Sequence, residues 1–481
     1  KHKGTWETEL PVSAQDHRST VTVRSMLSRL YPHVTQLRLC DIEPIDIPHQ
    51  KVTRVSARRA TVSSSCRLGE NISYDDEVKE CSFRYASSLL FLQHYAFTAR
   101  TTTHVPLSAA PANYRQACKR PDFGLWETAM EKEMNTLLAM GTWTIVDCPA
   151  GVKVLPTQWV YALKTDLCGT VSQKARIVVC GNHQTPDQYE TTFSPTARAG
   201  TIRILCAIAV QQGYNISTFD IRAAFISAML PQTPEIYIQL PQGYGLPAGK
   251  CARLNRALYG LRNASATYHK KLHSWFMDHG FDQVDDDGVL FRKTFPRADG
   301  GDADVIIVSM FVDDGLSLYS NEQHYKDFMT EFGKTFTLSN DAVLVNEKYL
   351  GMQFKYDRAA GRLSICQSQY IESMLERFGM TDLQKRHMAQ TPLEPDIYLS
   401  AADACDASNP SNIGQIRNYQ QLVGSLLFLS CWGRPDITYA TNQCARFMSC
   451  PGPSHFASAR RILRYLARTK DAELVFKRQP S

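Results

Sequence analysis

Phe311-Val312-Asp313-Asp314 places two adjacent carboxylates at the end of an apolar run, Val305-Ile306-Ile307-Val308-Ser309-Met310. A second short run, Gly315-Leu316-Ser317-Leu318-Tyr319, follows at once. Two such runs with a tight break between them read as a β-hairpin with the acids at its turn. Like charges side by side repel each other unless a cation stands near, and a divalent metal is the cation that fits. A solvated turn is the competing reading of the tetrapeptide alone. A third acid bears on the choice. Tyr214-Asn215-Ile216-Ser217-Thr218-Phe219-Asp220 reads as a strand with Asp220 at its exit, 93 positions before Asp313. Three carboxylates at one sheet edge can hold two Mg²⁺ ions, one activating an attacking hydroxyl and one clamping a triphosphate.

Working outward, the periodicity gives a mixed series of elements. Trp126–Met140 is a helix stopped by Gly141, and Gln158–Lys164 with Lys174–Cys180 are paired strands turning around Asp166–Thr170. Thr201–Gln212 is a helix ended by Gly213, and a further helix covers Ala223–Met229. An alternating strand runs Glu235–Leu240. Asn263 is expected to cap a helix reaching Asp278, and Asn321–Phe332 is expected to end at Gly333. Tyr349–Tyr356 and Arg362–Gln367 form a hairpin, Ser368 caps the next helix, and from about Asn418 the chain is all helical. Residues 1–112 lack periodic pattern and are expected to be a largely disordered linker with one helix near Tyr85–Phe97.

Composition narrows the class. No run of about 18 apolar residues exists, so no membrane partner is expected. Lys1-His2-Lys3 has neither an initiator Met nor an apolar stretch behind it, which excludes a signal peptide and reads as a piece of something longer. Fourteen cysteines without a C-x-x-C pair imply reduced thiols in an intracellular setting. Residues 1–120 carry 17 Lys/Arg against 11 Asp/Glu, and the remainder is balanced at 36 of each. A chain with a neutral body that meets a polyanion must concentrate its positive charge locally. Arg460, Arg464 and Arg468 fall one turn apart on one helix, which reads as a solvated basic face or as a stripe that contacts phosphate. His269 and His273 lack the Glu of a metalloprotease helix and are read as a solvated face. Asp285-Asp286-Asp287-Gly288 is read as a turn, because Pro296 stands where a calcium loop needs its bidentate Glu.

From Trp126 to Thr469 the chain resembles the reverse transcriptase of copia-type long-terminal-repeat retrotransposons. The resemblance rests on segments in that family's order. Among them are Trp126-Glu127-Thr128-Ala129-Met130, Lys174-Ala175-Arg176-Ile177-Val178, Thr192-Phe193-Ser194-Pro195 and Phe219-Asp220-Ile221-Arg222-Ala223-Ala224-Phe225. Ala257-Leu258-Tyr259-Gly260-Leu261-Arg262, the Asp-Asp hairpin, Tyr349-Leu350-Gly351 and Arg434-Pro435-Asp436 continue it. The resemblance implies an α+β, right-hand polymerase fold. Fingers over 113–212, a palm with an antiparallel sheet and inserted fingers elements over 213–333, a thumb-like part over 334–400 and a helical connection over 401–481 are expected. A ribonuclease H domain is expected to be absent, because the chain stops at Ser481.

The implied activity is RNA-directed DNA polymerisation with two Mg²⁺. Asp220 and Asp313 would be metal ligands, with Asp314 nearby and the backbone carbonyl of Ile221 as a further ligand. Lys174 and Arg176, alternating on one strand face, would meet a deoxynucleoside triphosphate. Phe225, five residues past Asp220, reads by itself as a core Phe on an apolar face; the resemblance implies instead that it excludes a ribose 2′-hydroxyl. Tyr259 and Gly260 would lie against the nascent base pair. The implied partners are an RNA or DNA template with primer, deoxynucleoside triphosphates, and the integrase and ribonuclease H segments of a parent polyprotein. The implied setting is a cytoplasmic particle and the nucleus. The chain departs from the family at several supporting positions. Phe311 replaces a Tyr, Cys180 replaces a basic residue, and no basic residue follows Phe336. Arg262-Asn263-Ala264-Ser265-Ala266-Thr267-Tyr268 replaces Lys-Gln-x-Pro-Arg-x-Trp. Two rival readings stand beside the polymerase: a nucleic-acid-binding remnant without activity, and a two-metal nuclease.

Overall fold

A computed structural model describes residues 110–165, 171–286, 288–381, 388–395 and 397–479. The expected linker up to residue 109, its helix near Tyr85–Phe97 and the turn at Asp166–Thr170 lie outside these residues. The described chain forms two compact units, residues 110–364 with 476–479 and residues 365–475. Both helix and sheet are present in quantity, as an α+β reading requires. No described helix is long and apolar enough to cross a membrane.

The first unit opens with helices α1 (Tyr114–Cys118) and α2 (Phe123–Ala139), then strands β1 (Trp143–Asp147), β2 (Val154–Leu155), β3 (Thr157–Thr165) and β4 (Val171–Val179). Helix α3 (Ala199–Gln212) leads into β5 (Asn215–Ile221), the single turn α4 (Ala224–Ser227), β6 (Tyr237–Ile238) and β7 (Lys250–Leu254). Helix α5 (Ala264–Asp278) precedes β8 (Asp282–Gln283), β9 (Leu290–Phe295), β10 (Asp304–Phe311) and β11 (Asp314–Tyr319). Helix α6 (Glu322–Thr335) and β12 (Leu338–Val343) follow.

Six of these strands make one sheet in the order β12-β5-β11-β10-β9-β8, every pair antiparallel. β10 is buried along most of its length, which is why its sequence is a continuous apolar run. Its alternate residues Ile306, Val308 and Met310 join Phe219 and Tyr319 on one face, against Trp275 and Phe276 of α5 and Phe328 and Phe332 of α6. A second core joins α2 through Trp126, Met130, Met134 and Leu137 to Trp159 and Tyr161 of β3 and Ala175, Ile177 and Val179 of β4. The second unit contains helices α7 (Ser368–Arg377), α8 (Ile413–Trp432), α9 (Thr438–Ala445) and α10 (Pro453–Arg468) around a single apolar cluster.

Several local expectations need correction. The helix expected over Ala223–Met229 shrinks to one turn, because Ala223 takes a left-handed φ of 50° and Met229 bridges to Arg256. The strand Glu235–Leu240 shortens to Tyr237–Ile238 between Pro234 and Pro241. Asn263 stands at the N-cap position of α5, but its side chain makes no capping bond. Its side chain turns inward, with Oδ1 buried and unpartnered. Gly333 does not end α6, since the apolar stripe continues through Phe332 and Phe336, whose rings stack at 4.6 Å. Gln367 rather than Ser368 precedes the first turn of α7, and a strand, Leu474–Lys477, follows α10. His269 and His273 are not a solvated pair. His269 Nε2–H donates to Gly288 O at 2.9 Å, and His273 Nε2 meets Gln283 Oε1 at 2.8 Å. The Asp285 turn is present, its Oδ1 accepting the N–H groups of Gly288, Val289 and Leu290 at 3.1 Å each.

Candidate active site

The β10–β11 hairpin turns through Val312 and Asp313, since Phe311 pairs with Asp314. Val312 has φ of 59°, a left-handed value that a β-branched residue adopts only at a cost. The neighbouring strand then sets the register that matters: β5 runs antiparallel to β11 with Asp220 opposite Asp314. Cross-strand partners share a sheet face, so the Asp220 and Asp314 side chains emerge on the same side. Asp313 occupies the turn itself, and its carbonyl accepts the N–H of Ile221 at 3.0 Å. The three acids predicted from sequence are therefore brought to one sheet edge, each half-buried.

Two neighbours fix this arrangement. Gly315 leaves room for the Phe219 ring, since a Cβ there would stand 2.2 Å from that ring. On the other flank β12 carries an irregularity between Leu338 and Asn340, and Ser339 Oγ donates to the Asp220 carboxylate. Bulges of this kind recur beside active sites because they re-aim a side chain. Ser339 was not singled out from sequence.

An aromatic and cationic cluster adjoins the acids. Phe225, half-buried, meets Tyr259 edge-on at 5.3 Å and Tyr268 at 6.0 Å. The Arg176 guanidinium lies over the Tyr259 ring at 5.3 Å. Burial pushes the Tyr259 hydroxyl up to about 12; Arg176 opposes the shift, and the charges of Asp313, Glu133 and Asp220 add to it. Burial, then Asp313 and Asp220, hold Tyr268 well above its ordinary value. Both carboxylates are thus felt at both tyrosines. Lys174 and Arg176 do share a strand face, opposite the buried Ala175, Ile177 and Val179. Gly260 has φ of 91°, and a Cβ there would collide with Val179 O at 2.1 Å. Its close approach is to the root of β4, where Val179 N–H donates to Tyr259 O at 2.7 Å.

Glu133, on α2, is a functional candidate that sequence reasoning missed. Burial raises the pKa of its carboxyl, while the Ile177 N–H, Arg176 and Lys174 pull it down. The residue is half-buried, yet its Oε1 is sealed from solvent and unpartnered. Its place three residues after Met130 and four before Leu137, on the apolar stripe, is the signal that could have found it. Arg262, inside the segment that departs from the family, also has a structural place. It donates from Nε to Gly181 O at 2.9 Å and stacks on Tyr189.

Oxygen donors from three carboxylates suit a hard divalent cation. Among the described residues, no three acidic, His or Cys side chains are already gathered at metal-holding spacing. The convergence is one of backbone register, with the Asp220 carboxylate turned toward Ser339. In the second unit Arg460 and Arg468 are exposed on α10, Arg464 is half-buried, and Leu463 and Leu466 are fully buried. There too Arg434 is buried and pairs bidentately with Asp436 at 3.0 and 2.7 Å, while donating to Thr469.

A family model described as reverse transcriptase (RNA-dependent DNA polymerase) matches residues 140–395. The chain is 29% identical over 372 residues to the retrovirus-related Pol polyprotein from transposon TNT 1-94 of Nicotiana tabacum, covering 76% of this chain and 27% of that protein. It is likewise 29% identical over 376 residues to the retrovirus-related Pol polyprotein from transposon RE1 of Arabidopsis thaliana, covering 77% and 24%. With the truncated transposon Ty1-A Gag-Pol polyprotein of Saccharomyces cerevisiae it shares 23% identity over 363 residues, covering 72% and 28%. The chain spans about a quarter of the length of these relatives.

Proposed function

The chain belongs to the reverse transcriptase (RNA-dependent DNA polymerase) family, in its copia-type retrotransposon branch, and from that premise we propose that it extends a primer along an RNA or DNA template with deoxynucleoside triphosphates. The observation that carries this reading is the register of Asp220 against Asp314, with Asp313 at the adjoining turn. Residues 113–212 serve as fingers and 213–333, with inserted fingers elements, as palm; the palm boundary is extended to take in β12, which completes its sheet. The stretch from there to residue 400 serves as a thumb-like part, and the helices after residue 401 as a connection. The setting is intracellular, in a particle and then the nucleus.

Asp220, Asp313 and Asp314, with the Ile221 carbonyl, would hold two Mg²⁺ ions. Bound there, the ions supply a lowered pKa for the primer 3′-hydroxyl and charge neutralisation at the triphosphate. The protein's own groups do the rest. Arg176, already held over Tyr259, offers a fork to phosphate oxygens, and Lys174 adds a point charge on the same strand face. Phe225 rejects a 2′-hydroxyl by collision. Tyr259 presents a ring for the nascent base pair. Arg460, Arg464 and Arg468 take backbone phosphates, so binding discriminates little between sequences. Primer extension on an RNA template with Mg²⁺ tests the reading. Asp313→Asn should abolish extension while leaving thermal unfolding and template binding near wild type, and extension that survives this substitution would overturn the assignment.

A further inference from the structure

Tyr268 sits where this chain departs from its family, and the structure gives it a place. It is only 2% exposed, and its ring meets Phe225 edge-on, at 6.0 Å and 69°. Phe225 meets Tyr259 as well, at 5.3 Å and 60°. Two tyrosine rings therefore bear on the half-buried Phe225, and Tyr268 is the more deeply buried of the two. The Tyr268 hydroxyl is sealed from water and makes no hydrogen bond. The unpaired hydroxyl contributes no bond, so the part of Tyr268 that bears on Phe225 is its ring, which packs against it as a wedge.

We propose that Tyr268 is a positioning residue for sugar selection: its ring sets how far Phe225 projects toward the nucleotide. This rests on the reading of Phe225 as the group that meets the sugar. Tyr268 touches no substrate atom. Removing the support lets Phe225 settle back, which opens space for a 2′-hydroxyl while deoxynucleotides still bind.

The test measures ribonucleotide against deoxynucleotide affinity in complexes with a primer ended by a dideoxynucleotide. That readout needs no turnover, and the ratio within one preparation cancels any loss of folded protein. Tyr268→Leu should lower the discrimination ratio by at least about tenfold, the scale of a small steric change in a shaped pocket. Tyr268→Phe should hold the ratio close to wild type. Phe225→Ala runs in parallel. A ratio lowered in Phe225→Ala but unchanged in Tyr268→Leu overturns the proposal and spares the reading of Phe225. A ratio unchanged in Phe225→Ala overturns both, as does a wild-type chain that binds neither nucleotide. If Tyr268→Leu does not fold, Tyr268→Met decides: an unbranched apolar chain fills the space without a rigid ring, the discrimination ratio should fall, and an unaltered ratio overturns the proposal.

Discussion

Replacing Gly315 with alanine asks whether one packing contact positions two of the three acids. An alanine Cβ would stand 2.2 Å from Phe219 Cζ and 2.5 Å from both Cε atoms, where ordinary contact begins at 3.4 Å. The ring cannot simply retreat. It is 2% exposed and backed by Phe332 at 5.5 Å and Phe328 at 6.4 Å. Either the ring or a strand must therefore give by about 1 Å, an overpacking whose cost is roughly 1–3 kcal/mol. For a body of roughly 150–250 residues each kcal/mol lowers Tm by about 2–4 °C, so a fall of about 2–12 °C is expected. Phe219 precedes Asp220 and Gly315 follows Asp314, so the same displacement reaches both carboxylates. Thermal unfolding should be measured first, then primer extension at a temperature where both proteins are fully folded. Extension should fall there too, and Phe219→Leu in the alanine background should restore part of both losses by vacating ring volume. An alanine variant with wild-type Tm would refute the packing argument. A lowered Tm with wild-type extension would refute the link to the acids.

Asp436→Asn leaves the buried Arg434 guanidinium without its counter-charge, and a loss of about 3–5 kcal/mol in the second unit is expected. Hydrogen exchange of α8 and α10 reads it, and unchanged protection would contradict the assignment. Replacing Arg460, Arg464 and Arg468 together with alanine should weaken template binding for every sequence alike. The slope of log affinity against log salt should become shallower by up to about 3, at about 0.9 per phosphate contact. An unaltered slope would make the stripe a solvated face. Glu133 carries a folded-state pKa raised above its unfolded one, so the stability it contributes is full below the unfolded value and lost as pH rises through the folded value. Glu133→Gln should therefore match wild type in acid and gain on it toward neutral pH. A difference in Tm that does not vary with pH would exclude this.

The Asp313–Asp314 hairpin was legible because every signal it needs is local. Two apolar runs fix β10 and β11, and the acids fall in the break between them. Helix α3 was legible for the same reason, with Gly213 at φ of 67° closing it. Reading failed where a partner lies far along the chain. Ala223 is bent by neighbours such as Thr337, whose carbonyl accepts the Arg222 N–H at 2.8 Å, and nothing in Arg222-Ala223-Ala224 announces that. Ser339 acquires its place only when β12 docks beside β5. Gly260 permits a close backbone approach, and the neighbour that approaches is Val179, eighty-one positions earlier in the chain. Glu133 alone among the missed residues left a local trace, a charge within an apolar stripe.

The two glycines at the root of β4 have a mechanical consequence. A Cβ on Gly181 would stand 2.1 Å from Gly260 O, and one on Gly260 would stand 2.1 Å from Val179 O, so the two backbones interlock. The Val179 N–H bond to Tyr259 O pins the same point. The β3–β4 ribbon is thus pinned at its root beside Tyr259, and α2 packs along its inner face against Ala175, Ile177 and Val179. At about 3.3 Å per residue, Arg176 lies about 10 Å from that root and Lys174 about 16 Å. Bending of the ribbon would therefore displace Lys174 further than Arg176, whose guanidinium also rests on the Tyr259 ring.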